Sequence, residues 1–207
     1  MYAINHAATA LLLKKKDSTL PLLPLLISVQ LVEILWVFFN YFGWEYFSVS
    51  GGKLHLDYLP YSHSILSGIV AAVISFSIFN WGYKNKKLAI AFSIGVLSHI
   101  AIDVIFHEKD IRLSPFSATP VWGFGILDHP FLNFGIEFFY GLFCWWYFKG
   151  SKALLAVIVI FNIANLPIML ASGSTLDPMV HYPFLLPSLI LFQILITWYF
   201  IYRYASK

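Results

Sequence analysis

The hydrophobic positions of this chain fall into six long runs that are separated by polar loops. Each run is close to the roughly 20 residues that an α-helix needs to cross about 30 Å of hydrocarbon. A further apolar stretch near the N-terminus is too short to span, and we predict a buried half-helix over residues 2–16. We therefore expect an all-α, polytopic membrane helical bundle that forms one integral membrane domain over residues 1–207. The six predicted transmembrane helices are residues 20–42, 63–83, 88–106, 130–148, 153–171 and 183–202.

Composition agrees with this class of protein. The chain is 59% hydrophobic and 11% charged, whereas about a quarter of the residues in a soluble domain are charged. The formal net charge of +3 comes from lysines in short loops, so we predict no nucleic-acid partner and a surface that contacts membrane lipid. The single cysteine, Cys144, excludes an internal disulfide bond.

The basic residues indicate the orientation of the helices. Three of the 13 Lys and Arg residues lie in the longer loops, at Lys53, Lys109 and Arg112. By the positive-inside rule the short basic loops and the C-terminus are cytoplasmic. The other ten basic residues lie in the short loops or at the C-terminus, at Lys14, Lys15, Lys16, Lys84, Lys86, Lys87, Lys149, Lys152, Arg203 and Lys207.

Several ionisable residues fall inside the predicted helices at similar depth. At 1.5 Å per helical residue, His6 lies about 12 Å from the cytoplasmic end of its segment, and Glu33, His99 and Glu137 lie roughly 17–18 Å from theirs. Ionisable groups at membrane depth are costly and usually functional. Interhelical hydrogen bonding by Gln30, Asn162, Asn165 and Gln193, with solvated histidines at His55 and His181, is the structural alternative.

The spacing of His99, Asp103 and His107 predicts a metal site. Residues four apart share a helix face, and imidazole with carboxylate suits zinc, with iron, manganese or nickel as alternatives. An ion with an open position would lower the pKa of a bound water, and Glu137 or Asp57 would then act as general base or orient a ligand. The predicted metal ligands are His6, Glu33, His63, His99, Asp103 and His107.

Five segments resemble a known family. They are HAATA from His6, VEILW around Glu33, DYLPYSHS at 57–64, LSHIAIDVIFHEKD at 97–110 and GFGILDHP at 123–130. In this order they are similar to small bacterial inner-membrane proteins of the membrane-bound metal-dependent hydrolase-like family, over about residues 3–148. The resemblance implies a bacterial inner-membrane location and hydrolase activity. The matching residues are His6, Glu33, Asp57, His63, His99, Asp103, His107, Asp110 and Glu137.

The chain departs from the family pattern at three places. Glu33 stands where the group tends to have Asp, and Asp128-His129-Pro130 replaces Asn-Ser-Pro before the fourth helix. Tyr61 precedes His63, where a more distant hydrolase branch carries an arginine just before the histidine.

Two functions remain as hypotheses. The first is a membrane-embedded metal-dependent hydrolase that acts on an ester or phosphoester of a lipid or lipid-linked substrate. The second is a proton- or ion-coupled transporter or channel that uses the same buried layer. The substrate, the metal and the oligomeric state stay open.

Overall fold

The computed structural model of the protein describes residues 1–50, 53–170 and 173–205, and most of these residues are helical. A π-helical turn at Ile78–Gly82 extends α5, and short 3-10 turns lie at Ile126–Asp128 and Gly173–Leu176. The helices are α1 (Ala3–Lys16), α2 (Leu22–Ser28), α3 (Leu31–Tyr41), α4 (Pro60–His63), α5 (Ile65–Ser77), α6 (Lys86–Phe106), α7 (Pro130–Phe148), α8 (Lys152–Ala164), α9 (Leu166–Met169), α10 (Asp177–His181) and α11 (Leu185–Ala205).

Within the described ranges, three helices are long and apolar enough to cross a membrane: Ile65–Gly82, Lys86–Phe106 and Leu185–Ala205. The pair α2 and α3 forms a fourth if its two segments count as one span. Helices therefore occupy all six predicted segments, but the structure supports three to four spans by length and composition. α7 has 19 residues, yet its Trp, Tyr, Asn and Glu residues keep it out of this set, and α8 has only 13 residues.

The N-terminal helix α1 is buried at the centre of the molecule. Its residues from Ile4 to Leu11 are buried, and it packs mainly against α7 and α11. Small residues such as Ala7 and Ala8, both fully buried, allow this close packing. The three lysines in its last turn interact favourably with the negative end of the helix dipole.

The first predicted span, residues 20–42, is a broken helix in the structure. α2 and α3 meet at an angle of 56°, and Val29 is the C-cap residue that follows α2. Gln30 at the break is fully buried, and its side chain is satisfied by tertiary contacts: Nε2 donates to the Ala3 carbonyl and Oε1 accepts from Trp198 Nε1. The end of a helical segment leaves backbone carbonyls free for other donors, and the Val29 carbonyl is used in this way at the site described below.

Two β-hairpins lie in loops where the hydrophobic pattern predicted no strand. β1 (Tyr46–Ser50) pairs with β2 (Lys53–Tyr58), and β3 (Ile111–Arg112) pairs with β4 (Val121–Trp122), both antiparallel. Their residues are partly aromatic and β-branched, which suits a pleated surface. The guanidinium of Arg112 lies 5.3 Å from the centre of the Tyr58 ring and so links the two hairpins.

Candidate metal centre

All six predicted metal ligands meet in one buried cluster, which we call the His/carboxylate cluster. His6 comes from α1, Glu33 from α3 and His63 from the end of α4, while His99 and Asp103 lie one turn apart on α6 and His107 follows its last residue. Among the described residues, three overlapping groups have ligand atoms that all lie within 4.8 Å of one another. These groups are His6–His99–Asp103, Glu33–His63–His99 and His63–Asp103–His107.

Asp103 belongs to two of the three groups, as His63 and His99 do. Its Oδ2 lies 2.9 Å from His99 Nε2 and 3.7 Å from His63 Nε2. Its Oδ1 lies 3.5 Å from His6 Nε2. On the opposite side, Glu33 Oε2 lies 3.2 Å from His63 Nε2 and 3.6 Å from His99 Nε2. Nitrogen atoms of three histidines therefore face oxygen atoms of two carboxylates.

The orientation of His99 is fixed by the break between α2 and α3. His99 Nδ1 lies 2.7 Å from the Val29 carbonyl oxygen. Because a carbonyl only accepts, Nδ1 carries the hydrogen and donates it. Nε2 of the neutral ring then presents its lone pair to Glu33 and Asp103. A hydrogen bond from the ring nitrogen that does not face the metal is the usual way in which proteins set the tautomer of a metal-binding histidine.

His63 is held by a chain of hydrogen bonds that ends at Glu45. Ser62 Oγ donates to Glu45 Oε2 over 2.6 Å, so it accepts from His63 Nδ1, which lies 2.7 Å away. Glu45 Oε1 accepts the backbone N–H groups of Tyr61 and Ser62 at 2.7 and 2.8 Å. Burial raises the pKa of the Glu45 carboxyl, and these donors act against that shift. His63 therefore also directs Nε2 into the cluster.

Sequence analysis missed the role of Glu45. Glu45 lies in the longer loop after the first predicted span, 17 residues from Ser62, and no local spacing connects the two. The only sequence signal is its acidic type directly after a predicted span.

His107 and His6 are the remaining histidines of the cluster. Like His63 and His99, His107 has its Nδ1 atom bound to an acceptor outside the cluster. Nδ1 of His107 lies 3.3 Å from both carboxylate oxygens of Asp110, so it donates to that side chain. The rings of His6 and His99 are stacked with their centres 3.9 Å apart. Three of the four histidines thus have Nδ1 bound to an acceptor outside the cluster.

Two buried polar atoms of the cluster are unsatisfied in a way that a bound cation would relieve. Although His99 Nε2 and Asp103 Oδ2 are only 2.9 Å apart, both are buried and lack an aligned hydrogen-bond partner among the described residues. Buried carboxylates and lone pairs without donors are unfavourable. A divalent ion would satisfy both, and mixed imidazole and carboxylate donors suit the metals from manganese to zinc. This buried group of His, Asp and Glu residues can bind a metal ion.

A cavity of about 680 Å³ opens above the cluster. His6, Glu33, His63, Asp103 and His107 form its polar floor. Residues of both hairpins and their loops, including His55, Lys109 and Arg112, also line it. The C-terminal part of the chain contributes mostly apolar residues to the lining, with Gln193 as the polar exception: Met169, Leu170, Met179, Leu186, Leu189 and Ile190.

Of the two predicted catalytic carboxylates, Glu137 and Asp57, the structure describes the side chain of Glu137 alone. Glu137 lines the same cavity but belongs to none of the three ligand groups found among the described residues. Its Oε2 accepts from the backbone N–H of Tyr2 and from Asn5 Nδ2, both at 2.8 Å. The backbone of Asp57 lies in β2, and its side chain is outside the part of the chain that the structure describes. Catalytic roles for both residues stay predictions.

No protein-family model, curated protein or solved structure matches this chain. The resemblance to the metal-dependent hydrolase-like family therefore stays a prediction. The fold and the site define a helical protein with three to four helices apolar enough to span a membrane, and with a buried His/Asp/Glu cluster that can bind a metal ion.

Proposed function

We propose that this protein is a membrane-embedded, metal-dependent hydrolase that cleaves an ester or phosphoester of a lipid or lipid-linked substrate. The observation that carries the proposal is the convergence of histidine Nε2 atoms on Glu33 and Asp103. External acceptors hold the Nδ1 atoms of His63, His99 and His107. A cluster needed only for packing would have no reason to fix three tautomers in this way.

The residues divide into holding and orienting roles. His63, His99, Glu33 and Asp103 would hold a first ion, and His6 and His107 extend the donor set on either side. A divalent ion supplies Lewis-acid activation of a water nucleophile when it is bound, and zinc is the ion we favour. Glu33 is the more accessible carboxylate, with 23% of its side chain exposed, whereas Asp103 is 2% exposed. Glu33 therefore faces the cavity from which a substrate would approach.

The shape of the cavity supports a lipid substrate. The same cavity is lined by the polar cluster residues and by mostly apolar residues from α9 to α11. Large apolar residues on the outside of neighbouring helices are exposed, such as Val73 and Ile74 on α5 at 59% and 54%. Exposed apolar surface of this kind suits contact with lipid. An ester near the polar floor would have its acyl chains beside these apolar residues.

The family resemblance and the distribution of basic residues also support a proposed location and orientation for the protein. We assign the protein to a bacterial inner membrane, with six crossings, a cytoplasmic C-terminus and the cavity on the outer side. The ten cations in the short loops and at the C-terminus support this orientation.

One observation favours the alternative of a proton- or ion-coupled transporter. Discontinuous helices are common at the binding sites of transporters, and α2 and α3 are bent by 56°. In this protein, however, the break supplies the Val29 carbonyl to His99, which is a role in the metal site itself. We therefore favour the hydrolase.

Metal content of the purified protein tests the proposal. We expect one or two zinc, iron or manganese ions per chain by elemental mass spectrometry after purification in detergent without chelator. The double variant His99→Ala/Asp103→Ala should lose them. Asp177→Ala/His181→Ala is the matched control, because it removes another Asp and His four residues apart, on α10, where His181 is exposed.

Activity then separates the two functions. The metal-loaded protein should hydrolyse ester or phosphoester lipids, and a chelator should stop the reaction. Absence of stoichiometric metal in wild-type protein would contradict the proposal. Ion or proton flux in liposomes without any bound metal would establish the transporter instead.

A further inference from the structure

Two basic residues that line the cavity depart from the charge distribution of the rest of the chain. Three of the 13 basic residues, Lys53, Lys109 and Arg112, lie in the longer loops, against the distribution that the positive-inside rule predicts. Lys109 and Arg112 follow His107 in the chain, and both line the cavity. Membrane topology does not account for these two positive charges, whereas a negatively charged ligand in the cavity would.

The backbone of Arg112 is anchored beside the candidate metal ligands. Arg112 lies in β3 directly after Ile111, which is fully buried, and the carbonyl of the next residue, Leu113, is hydrogen-bonded to the first turn of α5. Asp110, whose carboxylate lies 3.3 Å from His107 Nδ1, precedes Arg112 by two residues, or about 7 Å of extended chain. The long side chain of Arg112 therefore starts close to the His/carboxylate cluster.

The guanidinium of Arg112 is held by an aromatic ring and not by a carboxylate. Its Cζ atom lies 5.3 Å from the centre of the Tyr58 ring, which packs edge-on against Tyr61 with the ring centres 6.2 Å apart. A cation–π contact of this kind stabilises the positive charge without using the N–H donors. In the part of the chain that the structure describes, no ion pair joins Arg112 or Lys109 to a carboxylate.

The cavity is also lined by carboxylates, and three of them face histidines. Glu33 and Asp103 face the histidines of the cluster, and Asp110 accepts from His107. Glu108 and Asp128 also line the cavity, and neither is ion-paired with the two cations among the described residues. The described contacts therefore leave the N–H groups of both cations for a bound ligand.

An ester and a phosphoester differ in what they offer to a guanidinium. A carboxylic ester is uncharged, whereas the phosphate of a lipid phosphoester carries negative charge on oxygens that are not part of the ester link. The planar guanidinium fork donates two parallel hydrogen bonds to such a pair of oxygens. We propose that Arg112 is a specificity-determining residue that binds the phosphate oxygens of the substrate, with Lys109 adding positive charge. The proposal rests on the proposed function for the reaction itself, and it specifies the substrate class as anionic phosphoesters.

Binding of a phosphonate tests the role of Arg112 without any reaction. Hexadecylphosphonate carries an anionic headgroup like that of a phosphoester, on a P–C bond that ester hydrolysis does not cleave. We expect it to bind the wild-type protein, purified in detergent without chelator, as measured by microscale thermophoresis. Arg112→Gln should weaken this affinity by about 10- to 100-fold, which is typical for the loss of a hydrogen bond to a charged group.

Two further variants assign the effect to the guanidinium fork. Arg112→Lys keeps the charge but not the fork, so we expect a smaller loss of affinity. It also carries the test if Arg112→Gln does not fold, as judged by metal content and Tm. Arg203→Gln is the matched control, because it removes the other arginine of the chain, which is exposed near the end of α11 and does not line the cavity. Its affinity should equal that of the wild-type protein.

A second phosphonate separates two sources of the phosphate group. Methylphosphonate has the same headgroup without the hydrocarbon chain. Tighter binding of hexadecylphosphonate supports a lipid phosphoester, and equal binding of the two supports a water-soluble one. In both cases the inference requires that the Arg112 variants bind more weakly than the wild-type protein.

The outcomes are distinct from those for the proposed function. Equal phosphonate affinity in wild-type protein and both Arg112 variants overturns the inference, as does absence of binding to the wild-type protein, while metal content still supports the hydrolase. Hydrolysis of 4-methylumbelliferyl butyrate but not of 4-methylumbelliferyl phosphate also overturns it and leaves a carboxylic esterase. Phosphonate binding that depends on Arg112 in a protein without stoichiometric metal contradicts the hydrolase and supports the phosphate site.

Discussion

At the scale of single residues, small polar groups outside the cluster decide what the histidines can do. His63 faces Glu33 and Asp103 with Nε2 because Nδ1 is bound to Ser62, which in turn is bound to Glu45. Without an acceptor at Nδ1, the neutral ring would divide between its two tautomers. The tautomer with a hydrogen on Nε2 cannot bind a metal through that atom. Ser62 is therefore a positioning residue for the site.

Ser62→Ala should weaken metal binding while leaving all six candidate ligands in place. We expect the affinity for Co²⁺ to fall by about 10- to 100-fold, which is typical when a group that orients a ligand is lost. Titration followed by the visible absorption of bound Co²⁺ measures the change. Ser93→Ala is the matched control, because Ser93 on α6 only donates to the Ala72 carbonyl. Equal affinities in the two variants would contradict the role of Ser62.

At the scale of helices, the position of α6 relative to α2 sets the geometry of the cluster. α6 carries His99 and Asp103, and Gly95 lies one turn before His99. A Cβ added at Gly95 would overlap the hydroxyl of Ser28 and lie 2.7 Å from Ser28 Cβ. The absence of a side chain at this position lets α6 approach α2 closely enough for His99 to reach the Val29 carbonyl.

Gly95→Ala should therefore destabilise the protein and disturb the site together. Overpacking of a core contact costs about 1–3 kcal/mol, so we expect a lower Tm in detergent and weaker Co²⁺ binding. Gly135→Ala on α7 is the control, since no heavy atom lies within 4 Å of an added Cβ there. That variant should be neutral or more stable by up to about 1 kcal/mol, as expected for alanine in a helix. An unchanged Tm and affinity in Gly95→Ala would show that α6 does not depend on this contact.

At the scale of the whole molecule, the distribution of charge and apolar surface would govern the orientation of the protein in the proposed membrane. Ten of its 13 basic residues lie in the short loops or at the C-terminus. The hairpins lie in the longer loops, and residues from both line the cavity. Six crossings would place these loops outside and the lysines inside.

Cysteine labelling in intact cells tests this orientation. The single native cysteine, Cys144, is buried, and Cys144→Ala provides a background for new cysteines. We expect Phe116→Cys, at a position that is 91% exposed, to react with a membrane-impermeant maleimide from outside. Lys152→Cys at the start of α8 should react only after the cells are permeabilised. The reverse pattern would invert the topology, and labelling of both from outside would contradict six crossings.

The sequence by itself determined the helical segments and the identity of the candidate ligands. Hydrophobic periodicity is a local property, so residues 88–106 and 130–148 were predicted within two residues of α6 and α7. Counting depth along each helix also placed His6, Glu33 and His99 in one layer, because the rise per residue of a helix is constant. The number of spans was less well determined, since composition and length support three to four.

Only the tertiary structure decided which groups serve the site. Depth does not fix the rotation of a helix about its axis, so it could not show that Asp103 joins two ligand groups while Glu137 faces Tyr2 and Asn5. Glu45 and the Val29 carbonyl reach the histidines through a loop and a helix break. Neither contact is encoded by a spacing along the chain, because each joins segments that meet only when the bundle packs.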